Sequence, residues 1–282
     1  MNQNKKIEEV AWVAIKLIAT DLNGTLLHGD QTYNQALLQQ TLMALKQQGI
    51  RLVLSSGNQY AHLKQLFAKV TADNLVMVAE NGASIYVNDE QVFDGSLSAS
   101  ELAQFVAVDR QQEPLKSSYL IMVGEHGSYT EIGAPQALIT AAEKFYDNLQ
   151  QVTDFSVVTD TIKKISVSAT PAHAAQKVTK LNAYFEGRLK AHDSGYGVID
   201  LVTAGVGKLP AIQWLMQRWQ LTEDQLLAFG DGDNDKPLLQ YAGQGVAMVN
   251  ATASVQAVAD QVSELDNEHD GVLKMIQKLV LS

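Results

Sequence analysis

The stretch Lys16-Leu-Ile-Ala-Thr-Asp21-Leu-Asn23-Gly24-Thr-Leu-Leu27 decides the reading of this chain. An apolar run with β-strand character delivers one carboxylate, Asp21, and a Gly-Thr turn follows at once. A second stretch repeats the pattern far downstream: Gln225-Leu-Leu-Ala-Phe-Gly-Asp231-Gly-Asp233-Asn234-Asp235. Two buried strands that each end in an acid and a glycine turn predict a site at the carboxyl edge of a parallel sheet, where such sheets open a crevice. Asn23 stands out as a neutral amide where an acid is expected.

Outward from Asp21 the chain keeps an α/β rhythm. Leu37, Leu38, Leu42 and Leu45 predict a helix over 34–48, with Gly49 ending it. Strands are expected at 50–54 and 75–79, with a helix between them through Leu63, Leu66 and Phe67. This order implies right-handed crossovers and a doubly wound, Rossmann-like parallel sheet. The rhythm then changes. Paired strands at 84–87 and 91–93, 119–123 and 128–132, and 187–192 and 197–202 mix with helices at 99–111, 135–150 and 172–185 and a strand at 163–169, predicting an antiparallel α+β module. After Gly207-Lys208 the first rhythm returns, with helices at 209–219, 236–241, 252–259 and 271–280. The expected organisation is a discontinuous α/β core, 1–83 and 195–282, carrying an inserted α+β cap at 84–194.

Composition narrows the function. The 282 residues include 46 % hydrophobic and 18 % charged residues, as in a globular protein with a proper core. With 31 acidic against 21 basic residues the formal net charge is −10, and no Lys/Arg run offers a nucleic-acid surface. The absence of cysteine removes disulfides, thiolate catalysis and Cys-based zinc sites, and fits a reducing, cytoplasmic location. The apolar start at 10–19 reads as a strand, because glutamates precede it and Lys16 interrupts it. No run reaches membrane-spanning length, and the oligomeric state is not readable from the sequence.

The chemistry-bearing residues sit at the ends of elements. Asp231, Asp233 and Asp235 repel one another unless a cation lies among them, and oxygen-rich clusters suit Mg²⁺. A calcium-loop reading fails because Lys236 occupies the required glycine and Ala242 the bidentate glutamate position. Ser56 in Ser55-Ser56-Gly57-Asn58 is placed to bind phosphate with its hydroxyl and loop amides, or to cap the following helix. Lys208 lacks the glycine and hydroxyl of a phosphate loop and matters only if it points to the same edge as Asp21 and Asp231.

Taken together, Asp21-Leu-Asn-Gly-Thr-Leu-Leu27, Leu54-Ser-Ser56-Gly57-Asn58, Lys208 and Gly230-Asp231-Gly-Asp-Asn234-Asp235 resemble the four motifs of the haloacid dehalogenase superfamily. Glu80-Asn81-Gly82-Ala83 is similar to the segment leading into the cap of its Cof-type sugar phosphatases. The resemblance covers nearly the whole chain and implies a Mg²⁺-dependent phosphatase of small phosphorylated metabolites. It implies Asp21 as nucleophile; Asp21, the main-chain oxygen of Asn23, Asp231 and Asp235 around the metal; and Ser56, Gly57, Lys208 and Asn234 on the phosphate. The departure is Asn23, where the family carries the aspartate that protonates the leaving group. An amide cannot do this, and losing a positioned acid/base costs ~10²–10⁴ in rate. A slow phosphatase using another acid such as His28, a non-catalytic sugar-phosphate-binding protein, and a substitution made to trap an intermediate all fit; deamidation at Asn23-Gly24 is a minor further route. Cap residues His126, Tyr129, His192 and Tyr196 are candidates for substrate contact.

Overall fold

The computed structural model describes residues 14–281 apart from 109, 110, 112, 147 and 196, so Tyr196 and the first part of the apolar start lie outside the described residues. The amino-terminal strand is β1 (Leu17–Thr20), followed by α1 (Gln35–Gln47), β2 (Arg51–Ser55), α2 (Tyr60–Leu66) and β3 (Leu75–Ala79). The Asn34 side chain caps α1 by accepting from Leu37 N–H at 3.1 Å. Gly49, at φ +68°, lets the chain turn directly into β2. A hairpin of β4 (Ser84–Val87) and β5 (Glu90–Asp94) comes next.

A second group comprises α3 (Ala99–Val106), β6 (Leu120–Gly124), β7 (Ser128–Glu131), α4 (Gln136–Ala142), β8 (Leu149–Val152), β9 (Ile162–Ser168), α5 (Ala174–Tyr184), β10 (Leu189–Asp193) and β11 (Val198–Thr203). The chain closes with α6 (Lys208–Arg218), β12 (Leu226–Gly230), α7 (Lys236–Tyr241), β13 (Gln244–Ala247), α8 (Ala253–Gln256), β14 (Gln261–Val262) and α9 (Gly271–Val280).

Two sheets result. The first runs β14-β13-β12-β1-β2-β3-β4-β5, parallel from β14 to β3 and antiparallel beyond. Its central strands are buried on both faces, which explains their continuous apolar runs. Ile18, Leu52, Leu54, Leu227 and Phe229 face one helical layer, where Leu38, Leu42 and Ile276 pack. Leu17, Ala19, Val53, Leu226 and Ala228 face the other, against Ile212, Leu215 and Leu239. The two-residue period thus divides each strand between two cores.

The second sheet runs β10-β11-β9-β6-β7-β8 and is antiparallel except for β7 with β8. One face carries Met122, Ile165, Val167, Ile199 and Leu201 against Phe105, Phe155 and Phe185. Sheet membership shifts the expected division at 84 and 194. The hairpin β4–β5 completes the first sheet, because Ile85, Val92 and Phe93 pack on its core. Strand β11 belongs to the second sheet, held between β9 and β10. The helix expected over 135–150 stops at Ala142, and the polar segment Leu149–Val152 instead adds an edge strand beside β7. That pairing depends on a neighbour that local periodicity does not report.

Candidate active site

The strand register brings the distant motifs together. Thr20 lies opposite both Leu54 and Phe229, so Asp21, Ser56 and Asp231 leave the sheet at one carboxyl edge. Asp21 N–H donates to the Phe229 carbonyl at 3.1 Å, which pins the two acid-bearing turns side by side. Lys208, the first residue of α6, places Nζ 2.7 Å from Asp21 Oδ1 and 2.7 Å from Asp235 Oδ1. Asp235 in turn accepts from the N–H groups of Asp231 (3.2 Å) and Gly232 (3.0 Å). Thr25 Oγ1 donates to Asp231 Oδ1 at 2.6 Å.

The close approach of the two turns requires glycine. Gly24 has φ +75°, and a Cβ there would sit 2.4 Å from Asp231 Oδ2. The result is a compact oxygen cage: one carboxylate oxygen from each of Asp21, Asp231 and Asp235 lies within 4.8 Å of the others.

Three acids against one lysine make this cage electrostatically uneasy without a further cation. Burial pushes the Asp21 carboxyl up to about 7; Lys208 opposes the shift, while Asp235 and Asp231 add to it. Burial also raises Asp231, with Thr25 opposing and Asp235 reinforcing. For Lys208, burial favours the neutral amine, but Asp21 and Asp235 more than offset it and hold the pKa above the ordinary lysine value.

Ser56 is buried, and its Oγ accepts from Asn58 N–H at 3.1 Å. Gly57 packs against Asn81, whose amide atoms lie 3.2–3.3 Å from where a Cβ would be. Asn234 is half-buried in the Asp231–Asp235 turn. Asn23 Oδ1 is buried with no hydrogen-bond partner. His28 is engaged elsewhere: Nε2 lies 3.2 Å from Asp270 Oδ1, and Nδ1 lies 3.3 Å from Thr32 Oγ1. Among the cap candidates, His126 and Tyr129 both bind Asp160, at 2.9 and 3.0 Å. His192 approaches Gly207, beside Lys208. Burial lowers its pKa.

Sequence reasoning missed a second polar cluster. The cap residues Lys164 and Asp200 form a buried ion pair at 2.8 Å that touches the core loop 57 and Asn81. The available signal was charge within two otherwise apolar strands, Lys163 and Lys164 in Ile162–Ser168 and Asp200 in Val198–Thr203.

A capped α/β sheet with an acid-and-lysine cage at its carboxyl edge defines a phosphatase of the haloacid dehalogenase type. The family model for haloacid dehalogenase-like hydrolases matches residues 18–276, and the chain belongs to that family. A 5-amino-6-(5-phospho-D-ribitylamino)uracil phosphatase of Escherichia coli is 32 % identical over 268 residues, covering 95 % of this chain and 97 % of that protein. A solved structure from Streptococcus mutans superposes with a TM-score of 0.90 at 30 % identity, covering 95 % of this chain and all (100 %) of the other. A subclass IIB sugar phosphatase shares the fold at a TM-score of 0.76 and 19 % identity, covering 95 % of this chain and 100 % of its own. The resemblance to the Cof-type members therefore holds along the whole capped architecture. Among the described residues no helix is long and apolar enough to cross a membrane.

Proposed function

We propose that this protein is a Mg²⁺-dependent phosphomonoesterase of small phosphorylated metabolites, of the sugar- or polyol-phosphate class. The observation that carries the reading is the placement of Lys208 Nζ between Asp21 and Asp235, with Asp231 alongside. The cage fits a hard divalent cation: its donors are carboxylate oxygens, they converge, and burial, reinforced by Asp235 and Asp231, raises the Asp21 carboxyl. Asp21, Asp231 and the main-chain carbonyl of Asn23 would hold Mg²⁺, with Asp235 in support. The bound ion supplies charge neutralisation for the phosphoryl group.

The chain's own residues do the rest. Ser56 Oγ, the Gly57 N–H, Asn234 and Lys208 hold phosphoryl oxygens, so that Asp21 faces phosphorus in line with the ester oxygen. The Asp21 carboxylate forms a bond to phosphorus as the ester P–O bond breaks, and the departing alkoxide takes a proton from water. A second water then attacks phosphorus, releasing inorganic phosphate and restoring Asp21. The second sheet covers this edge and excludes bulk water. The Escherichia coli relative's phosphoribityl substrate supports a polyol phosphate as the class.

Asn23 favours a second reading, a sugar-phosphate-binding protein with little turnover. Its amide offers no acid, and His28 has both ring nitrogens engaged away from Asp21. Phosphate release from a panel of sugar and polyol phosphates with Mg²⁺ separates the two. The phosphatase reading expects release from at least one ester and its loss in Asp21→Ala. Release that persists in Asp21→Ala refutes the nucleophile. Saturable binding without turnover establishes the binding protein.

A further inference from the structure

Strand pairing aligns three polar residues in a row across the cap sheet. His192 lies opposite Asp200, and Asp200 lies opposite Ser166. Lys164 stands two residues from Ser166 on the same face of β9, opposite to the apolar face that carries Ile165. This polar face points at the core. Lys164 Nζ donates to Asp200 Oδ2 at 2.8 Å and to the main-chain carbonyl of Gly57 at 2.8 Å. Both side chains are deeply buried, 4 % and 1 % exposed. Asp200 is further held by Ser166 Oγ (2.5 Å), Ser194 Oγ (2.7 Å) and Asn81 Nδ2 (2.6 Å).

The core side of this contact is the loop proposed to bind phosphate. Its carbonyls are each tied down: Ser56 by Asn81 N–H at 2.9 Å, Asn58 by Glu80 N–H at 3.0 Å, and Gly57 by Lys164. Only the Gly57 anchor comes from the cap. The Gly57 carbonyl shares a peptide plane with Asn58 N–H, which donates to Ser56 Oγ at 3.1 Å. With that acceptor lone pair occupied, the Ser56 hydroxyl keeps its own proton for another acceptor. Glycine leaves this peptide plane easy to rotate, so an external anchor matters.

We propose that Lys164, held in place by Asp200, is a positioning residue that sets the Gly57–Asn58 peptide and thereby aims the Ser56 hydroxyl at the phosphoryl group. Phosphate affinity is then coupled to docking of the cap. Asp200 keeps the ammonium on the Gly57 carbonyl by neutralising a charge that would otherwise compete for the anion. This rests on the phosphatase reading above.

The test is a double-mutant cycle on orthovanadate affinity, measured by calorimetry in Mg²⁺ on the full chain. Lys164→Met weakens vanadate about tenfold, the scale of one hydrogen bond to an anion. Ser56→Ala weakens it similarly, and Lys164→Met/Ser56→Ala is no weaker than Ser56→Ala alone. Mg²⁺ affinity stays within about twofold, which a general loosening of the fold would not allow. If Lys164→Met fails to fold with Asp200 left unpaired, Lys164→Met/Asp200→Asn removes both charges and gives the same cycle. Vanadate affinity unchanged by Lys164→Met, or losses that add with Ser56→Ala, overturns the coupling alone. Wild-type protein that binds no vanadate overturns the phosphatase reading and the coupling with it.

Discussion

Replacing Asp21 with asparagine should abolish phosphate transfer and yet stabilise the metal-free protein. The reason is the charge balance of the cage. In the folded chain, burial and the neighbouring Asp235 and Asp231 carry the Asp21 carboxyl from an ordinary 3.8 to about 7, even with Lys208 opposing. Each tenfold displacement of the acid equilibrium is worth about 1.4 kcal/mol, so the carboxylate at neutral pH costs on the order of 4 kcal/mol. Asp21 is 12 % exposed, so little of this is screened by solvent. The asparagine amide keeps the shape without the charge, and Lys208 retains its 2.7 Å contact with Asp235.

The sign follows from linkage. The folded-state pKa lies above the unfolded one, so between about pH 4 and 7 the folded state holds the extra proton. The favourable contribution is complete below pH 4 and is lost as pH rises towards 7. Asp21→Asn removes this dependence. Thermal unfolding in EDTA should therefore show the variant above wild type by several degrees at pH 7.5. The gap should narrow at pH 5.5 and close near pH 4. Adding Mg²⁺ should narrow the gap, since a cation at 100 times its Kd stabilises the wild type by about 2.7 kcal/mol and finds a weaker site in the variant. A variant that melts at or below wild type at pH 7.5 in EDTA refutes the reasoning, as does a gap that does not shrink in acid.

Two other substitutions probe the same edge. Asn23→Asp supplies the missing acid/base and should raise phosphate release by ~10²–10⁴ on the best ester; a gain under about tenfold means that proton transfer is met elsewhere. Lys208→Met leaves Asp21 and Asp235 buried without their shared counter-charge and should lower stability by about 3–5 kcal/mol in EDTA, read by urea unfolding, with much of the loss recovered in Mg²⁺. Unchanged urea midpoints would show that the lysine carries no structural share of the cage.

Much of this molecule was legible before any coordinate. Strands such as Leu17–Thr20 and Leu226–Gly230 announce themselves because strands buried on both faces must be apolar throughout. Helices α1 and α9 carry a clear helical period, and Gly49 marks the end of the first. The cage residues Asp21, Lys208, Asp231 and Asp235 were identifiable because each follows or opens a periodic element. Less legible were the weak elements. Strand β8 is polar and at an edge, and the β4–β5 hairpin carries no local mark of which sheet it will join.

The sequence by itself determined the strongly patterned elements, the acidic turns and the anomaly at Asn23, because strand burial, helical period and turn chemistry are local properties. Only the tertiary structure decided which side chains meet. Lys208 and Asp21 stand 187 residues apart, and the packing of α6 on the sheet brings them to 2.7 Å. Lys164 and Gly57 are 107 residues apart, and they meet only when the cap face docks on the core loop. Such contacts depend on register and packing between elements, which no window along the chain contains. His28 illustrates the difference: nearest to Asn23 in sequence among the histidines, it is turned in space towards Asp270.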